Sequence, residues 1–203
     1  MKKYQQLTIF GDSLVLCQKL NLRKRWPEIL KKKIKKKNSN FKMKVNALNG
    51  ITTQNALNKI DFTIKKRSVV LFLFGANDST YYKSFRGKPR VSLKSFRKNY
   101  TSIIKKANKI HKNKLFIING HKFLRKRQEG NKKTHNVSYL KYKKDIYKIA
   151  KNTNSEIIDT YSNLLEINPK SYCLPLPDGL HQNDFGSKRY SQIVYNQINE
   201  FFI

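Results

Sequence analysis

Four short segments carry side chains whose types and spacing could perform acyl chemistry. Phe10-Gly11-Asp12-Ser13-Leu14 places a serine on a glycine-containing turn, where a hydroxyl and its own amide can face the same space. The same residues would also serve as a strand ending in a helix cap, because Asp and Ser are favoured caps. Asn49-Gly50-Ile51 offers an unhindered amide that could point at a substrate oxygen, although Asn-Gly favours a plain turn on conformational grounds. Phe74-Gly75-Ala76-Asn77-Asp78 offers a side-chain amide as a further donor, against the common use of a loop Asn to satisfy nearby backbone. Pro177-Asp178-Gly179-Leu180-His181 sets a carboxylate and an imidazole at i and i+3. On a turn, that spacing lets the carboxylate hold one ring nitrogen and leaves the other free as a base.

The elements that must position these segments follow from apolar periodicity, which changes repeatedly from short β-rich runs to helical spacing, the mark of a parallel sheet covered by helices. Strands are expected at Gln6–Phe10, Lys42–Ala47, Val69–Phe74, Leu115–Asn119 and Glu156–Ile158. Trp26, Leu30 and Ile34 stand four apart behind Pro27, which suits a first helical turn. Leu57, Ile60 and Ile64 form the stripe of a second helix. Ser92 can cap a third, in which Leu93, Phe96, Tyr100, Ile103, Ala107 and Ile110 recur at helical steps. Leu140, Ile146, Ile149 and Ala150 mark a fourth helix, and Tyr190–Phe201 a closing one. From His121 to Asn136 the chain holds six Lys/Arg and Gly130, so it reads as a long exposed loop. Three chemistry-bearing segments follow expected strands and the fourth precedes the last helix. In open parallel sheets the carboxyl ends of strands line the ligand crevice, so the four converge.

At this point the chain resembles the GDSL/SGNH hydrolase family over nearly its whole length. The four positions that define that family would be Ser13, Gly50, Asn77 and His181, with Asp178 completing a triad. FGANDS, GKPRVSL and LPDGLHQNDFGSKRY look like the esterase branch related to isoamyl acetate hydrolases, as does a helix like Tyr139–Lys151 before a strand ending like EIIDTYS. The resemblance implies an α/β fold, a three-layer α/β/α sandwich of flavodoxin-like type around a parallel sheet of about five strands. It also implies ester hydrolysis with Ser13 as nucleophile, His181 as base and Asp178 as its partner. Ser13, Gly50 and Asn77 would form the oxyanion hole, and neither metal nor organic cofactor is required. Asp12 and Asp78 are expected to brace their turns. The Gly-x-Ser-x-Gly elbow of α/β-hydrolases is absent, since Val15 stands where its second glycine would be. Ile118-Asn119-Gly120-His121 departs from common family patterns in lacking a proline, at a loop that in such enzymes often helps to shape the pocket.

Tyr81, Tyr82, Phe85 and Arg86 follow the third strand, and His121, Lys122, Arg125, Lys126 and Arg127 follow the fourth. Tyr81, Tyr82 and His121 are the candidates to line a substrate, with a solvated loop histidine as the commoner reading of His121. The basic residues invite esters borne on anionic carriers, against a merely solvated charge run. The whole chain carries 44 Lys+Arg against 12 Asp+Glu, a net charge of +32. That charge invites a polyanion or nucleic-acid partner. No aromatic-basic groove or binding motif accompanies it, and the lysines are spread along the chain, so drift toward AT-rich codons explains part of the excess. A basic binding protein on a hydrolase fold is therefore the rival from another class. O-deacetylation of carbohydrates and cleavage of lysophospholipids or thioesters are the rivals within the enzyme reading.

At 203 residues the chain is expected to form one domain with an adequate core. Cys17 and Cys173 lack any CxxC or clustered-histidine context and read as small buried residues, with neither disulfide nor zinc. The motif at Gly11 follows too closely on the first residue for a cleavable leader, and no run approaches the roughly 18 apolar residues of a membrane span. A cytoplasmic location is the expectation.

Overall fold

The computed structural model describes residues 4–64, 66–82, 87–125 and 133–202. Five parallel strands form one sheet in the order β2-β1-β3-β4-β5: β1 Gln6–Gly11, β2 Lys42–Ala47, β3 Val69–Leu73, β4 Lys114–Ile118 and β5 Glu156–Ile158. The expected α/β architecture holds. All five residues of β3 are buried, because helices cover both faces of the sheet. Leu7, Ile9, Leu71 and Phe116 pack on one face with Trp26, Leu30 and Ile34 of α2 (Trp26–Lys35) and with Tyr190, Val194 and Ile198 of α8 (Asp184–Ile198). Phe10, Val70, Phe72 and Ile117 face the other way. They pack against α3 (Thr53–Lys59), α4 (Leu93–Ala107) and α5 (His135–Thr153). β2 is an edge strand, and its exposed Lys42 and Lys44 put charge where an open edge would otherwise invite pairing.

Several boundaries differ from the periodicity reading, each for a local reason. α3 ends at Lys59, so Ile64 reaches the core from the connection that follows and not from a helical stripe. α4 stops at Ala107 and leaves Ile110 67% exposed, because Asn113 takes the Ala107 carbonyl with its side-chain amide and turns the chain into β4. α8 begins at Asp184, six residues before the expected start, because the Asn183 side chain accepts from the Gly186 amide as an N-cap. The segment after β4 is the largest correction. His121 and Phe123 are buried, and residues 126–132 of the expected loop lie outside the described residues.

Strand order reverses between β1 and β3, since the chain leaves β1 toward β2 and returns across it to β3. The carboxyl ends of those strands therefore splay into a crevice. Three short α-helices, α1 (Ser13–Leu16), α6 (Thr160–Asn163) and α7 (Pro169–Tyr172), follow β1 or precede α8. Among the described residues, no helix is long and apolar enough to cross a membrane.

Candidate active site

Ser13 is the first residue of α1, directly after β1. The turn that carries it requires glycine at position 11, where a Cβ would collide with Val15 Cγ2 and meet the Leu73 carbonyl oxygen at 2.7 Å. Asp12 caps α1 by accepting from the Leu14 amide at 2.9 Å. The Trp26 indole donates to the Leu14 carbonyl at 2.9 Å and pins the helix to α2. As the first helical residue, Ser13 has an amide with no intrahelical acceptor, so that donor is available to whatever sits beside the hydroxyl.

From the other end of the chain, the His181 Nε2 atom lies 2.9 Å from Ser13 Oγ. His181 Nδ1 lies 2.8 Å from Asp178 Oδ2 and 3.1 Å from Oδ1. Asp178 Oδ1 also accepts from the amides of Leu180 at 2.9 Å and His181 at 2.8 Å, so the turn closes on its own carboxylate. Lys19 places its ammonium 2.6 Å from Asp178 Oδ2. Burial alone would raise the Asp178 pKa. The His181 amide, the Lys19 ammonium, the His181 ring and the Leu180 amide outweigh it and hold the carboxyl well below the usual carboxylate range. A hydroxyl hydrogen-bonded to an imidazole that is in turn held by an ionised carboxylate can make the oxygen a nucleophile.

The segment after β4 is the cradle of this turn. His121 accepts from the Tyr190 hydroxyl at Nδ1, 2.7 Å, and donates from Nε2 to the Leu180 carbonyl, 2.9 Å. The Leu124 amide donates to the Gly179 carbonyl at 2.7 Å, and Arg125 Nε to the Asp178 carbonyl at 2.6 Å. His121 is wholly buried, so it neither lines a substrate surface nor sits in solvent; it supports the backbone between Asp178 and His181 from beneath. Burial drives its pKa down to about 4 and keeps it neutral, as one accepting and one donating nitrogen require.

Asn77 and Gly50 come from the loops after β3 and β2. Asn77 Nδ2 donates to Asp12 Oδ2 at 3.0 Å, which fixes the amide with its nitrogen toward the Ser13 turn. Gly50 has φ +65°, a conformation that favours glycine, and no atom lies within 4 Å of where its Cβ would be. Asp78 accepts from the Thr53 amide at 3.0 Å and 3.2 Å and from the Thr53 hydroxyl, tying the loop of Asn77 to the start of α3 just past Gly50. Both supporting carboxylates are buried. Burial, reinforced by Asp78, raises the Asp12 pKa to about 7, and burial raises that of Asp78 to about 6.

Sequence reasoning missed Lys19, Arg90 and the bracing role of Arg125. Arg90 Nη2 donates to the Gly50 carbonyl at 2.9 Å and its Nη1 to Asn77 Oδ1 at 3.4 Å. Its guanidinium lies 5.8 Å from the centre of the Tyr82 ring, which puts exposed Tyr82 on the rim of the site. Tyr81 is half-buried beside it. The only hint of Arg90 in the sequence is its place in the GKPRVSL segment. Phe85, Arg86, Lys126 and Arg127 lie outside the described residues. Cys17 and Cys173 are free and buried, as expected. A concavity of about 530 Å³ along α2, lined by Leu22, Glu28 and exposed basic side chains, contains none of the residues above.

A family model described as "GDSL-like Lipase/Acylhydrolase" matches residues 7–193. Among solved structures, a lipase/acylhydrolase from Enterococcus faecalis is 18% identical, with a TM-score of 0.71 over 97% of this chain and 96% of its own. An acetyl xylan esterase, AlAXEase, is 18% identical, with a TM-score of 0.73 over 95% of this chain and 99% of its own. An acetylxylan esterase from Geobacillus stearothermophilus, Axe2, is 15% identical, with a TM-score of 0.73 over 96% of this chain and 94% of its own. At these identities the likeness is one of fold. No curated protein matches the sequence.

Proposed function

We propose, from the premise that this chain belongs to the GDSL-like lipase/acylhydrolase family, that it is a serine ester hydrolase working through an acyl-enzyme on Ser13. The observation that carries the reading is the continuous contact from Ser13 Oγ through His181 to Asp178, between residues 168 positions apart in sequence.

In the proposed reaction Ser13 Oγ attacks the ester carbonyl carbon and its proton passes to His181 Nε2. Asp178 holds the Nδ1 hydrogen and stabilises the imidazolium. Negative charge develops on the carbonyl oxygen, where the Ser13 and Gly50 amides and Asn77 Nδ2 would stabilise it. The Nε2 proton then goes to the departing alcohol or thiol as its bond to carbon breaks. Water next attacks the acyl carbon, gives one proton to His181, and the acid leaves as Ser13 recovers that proton. Asp12 and Asp78 take no part in proton transfer here; their bonds to Leu14, Asn77 and Thr53 suit the bracing of the two turns.

The substrate reading is a short acyl ester. The segments resembling the isoamyl acetate-hydrolysing branch favour it, and the acetyl xylan esterases among the similar folds make acetylated sugars the first carbohydrate panel to test. Lysophospholipid and thioester cleavage remain the other members of that panel. Lys19 and Arg125 add positive charge around the crevice, which supports a preference for esters on anionic carriers. Tyr82 is the proposed lining residue, with Tyr81 beside it.

The test is hydrolysis of p-nitrophenyl acetate by the parent and by Ser13→Ala. A loss on the order of 10³-fold or more is expected; a variant as fast as the parent would remove Ser13 from the reaction. Matched neutral and anionic esters, each at low and high salt, test the carrier preference, and equal turnover throughout would dispose of it. A nucleic-acid titration over the same salt series addresses the binding-protein rival. Salt-sensitive binding with no esterase activity would favour that rival.

A further inference from the structure

We infer that Arg90 is a positioning residue for the oxyanion donors, holding Asn77 and the loop of Gly50 in register with each other; the inference rests on the esterase reading above. Three observations combine. The guanidinium bridges two loops that are otherwise joined by the Thr53–Asp78 contact, one hydrogen bond going to the Gly50 carbonyl and one to Asn77 Oδ1. The loop of Asn77 is buried and well anchored, so the tie acts chiefly on the exposed loop of Gly50. Residues 48–50 are exposed, their other anchors sit at the Leu48 amide, at the Asn49 side chain on Gln18 and at Thr53, and Gly50 has no side chain with which to pack.

Asn77 presents a second problem. Its amide is useful to a developing oxyanion only with the nitrogen toward the substrate, since the carbonyl would repel the negative charge. Asp12 accepts from Nδ2 on one side and Arg90 donates to Oδ1 on the other, so the two together define which way the amide faces. Arg90 makes no ion pair with any described carboxylate at salt-bridge distance, and its two described hydrogen bonds both go to these carbonyl groups.

The shape of the group matters as much as its charge. A planar fork can donate in two fixed directions at once, whereas an ammonium is a point charge on a flexible stem that cannot span both acceptors with the same geometry. Lysine at position 90 should therefore keep the charge and lose the function. That separates positioning from a different role, capture of an anionic substituent on the substrate, which lysine would largely preserve.

The experiment compares the parent, Arg90→Met, Arg90→Lys, Asn77→Ala and Arg90→Met/Asn77→Ala. The substrates are p-nitrophenyl acetate and the mono-p-nitrophenyl ester of a dicarboxylic acid, with melting curves recorded for every protein. Arg90→Met is expected to lower kcat about 10- to 100-fold on both esters, short of the roughly 10²–10³-fold typical of deleting an oxyanion donor outright. KM should stay within about threefold. Arg90→Lys should recover little of the loss. In the Asn77→Ala background the same Arg90→Met change should cost clearly less than in the parent, because one of the groups it positions has gone. The inference is overturned by any of three results: losses at the two sites that simply multiply, parent-like kcat in Arg90→Met, or a change confined to KM for the charged ester and repaired by lysine. Should Arg90→Met fail to fold, the same cycle run with Arg90→Lys decides the question. A parent and Ser13→Ala protein equally inactive on the full ester series would strike the esterase reading itself.

Discussion

The turn after β1 and the turn before α8 each place an aspartate within a few bonds of a residue proposed to react, and they treat that aspartate in opposite ways. Asp12 is wholly buried, accepts from one backbone amide and one side-chain amide, and lies near the second buried carboxylate of Asp78. Desolvation wins, and its pKa rises to about 7. Asp178 opens partly to solvent, gathers two backbone amides and the His181 ring, and has the Lys19 ammonium beside it. Donors and charge win, and its carboxyl stays ionised far into acid. Only the second environment suits a group that must stabilise an imidazolium during turnover, and only the first suits a brace that holds an amide still. Residue type alone does not distinguish a proton-relay partner from a structural acid; the number of donors and the access of water do.

The largest test of this contrast removes the ionised member. Asp178→Ala should cut kcat/KM for p-nitrophenyl acetate by about 10³-fold or more, because His181 loses both its orientation and its counter-charge. A loss below about tenfold would place Asp178 outside the relay.

Exchanging the buried member is expected to cost about 10²-fold, and by another route. Asp12→Asn can still accept from the Leu14 amide, but its own NH₂ would then face the NH₂ of Asn77. The Asn77 amide must break that bond or turn its carbonyl toward the oxyanion. KM should change little, and unaltered kcat would show that Asp12 does not set the orientation of Asn77.

The same pair of proteins separates the two aspartates by pH. A carboxyl whose pKa is raised in the folded state, from about 3.9 unfolded, stabilises the fold fully below the lower value and ceases to do so as pH rises through the higher one. The stability of the parent relative to Asp12→Asn should therefore fall between about pH 4 and pH 7, on the order of 2–4 kcal/mol, and then level off. Chemical denaturation at several pH values measures it. A difference that grew with rising pH would contradict the raised value. Asp78, raised to about 6 in the same sense, is coupled to Asp12 through charge, so the part of its contribution that depends on Asp12 adds to the same fall and the rest cancels. Asp178 has the opposite sign in both, its contribution being lost only as pH falls.

The smallest expected effect belongs to Lys19. Its side chain is 58% exposed, so its pairing with Asp178 is screened, and Lys19→Met should cost less than about 1 kcal/mol and about threefold in kcat. A larger loss would make the ammonium, and not the backbone donors, the reason Asp178 stays ionised.

How much of this was legible from residue types varies element by element. The strands at Lys42–Ala47 and Glu156–Ile158 match the periodicity reading to the residue although both lie at the sheet's edges and are only partly buried, whereas the wholly buried β3 ends one residue before its expected limit. Helix ends were less legible: the Asn183 cap of α8 and the Asn113 bond that closes α4 are single polar contacts with no periodic trace. The segment after β4 misled most. Its many basic residues read as a solvated loop, yet His121 and Phe123 turn inward and the backbone at 124 and 125 clasps Gly179. Charge density along a sequence does not report which of the intervening side chains point into the protein.

The sequence by itself determined the strands and helical stripes through backbone period, and its short motifs together with the family resemblance marked the five positions where a nucleophile, a base, an acid and two further donors would be sought. Tertiary structure alone decided that Ser13 and His181 lie 2.9 Å apart, that Asp178 is ionised while Asp12 resists ionisation, and that His121 supports the turn from below. Distance between remote residues and exclusion of water are properties of packing, and packing is set by the whole chain at once.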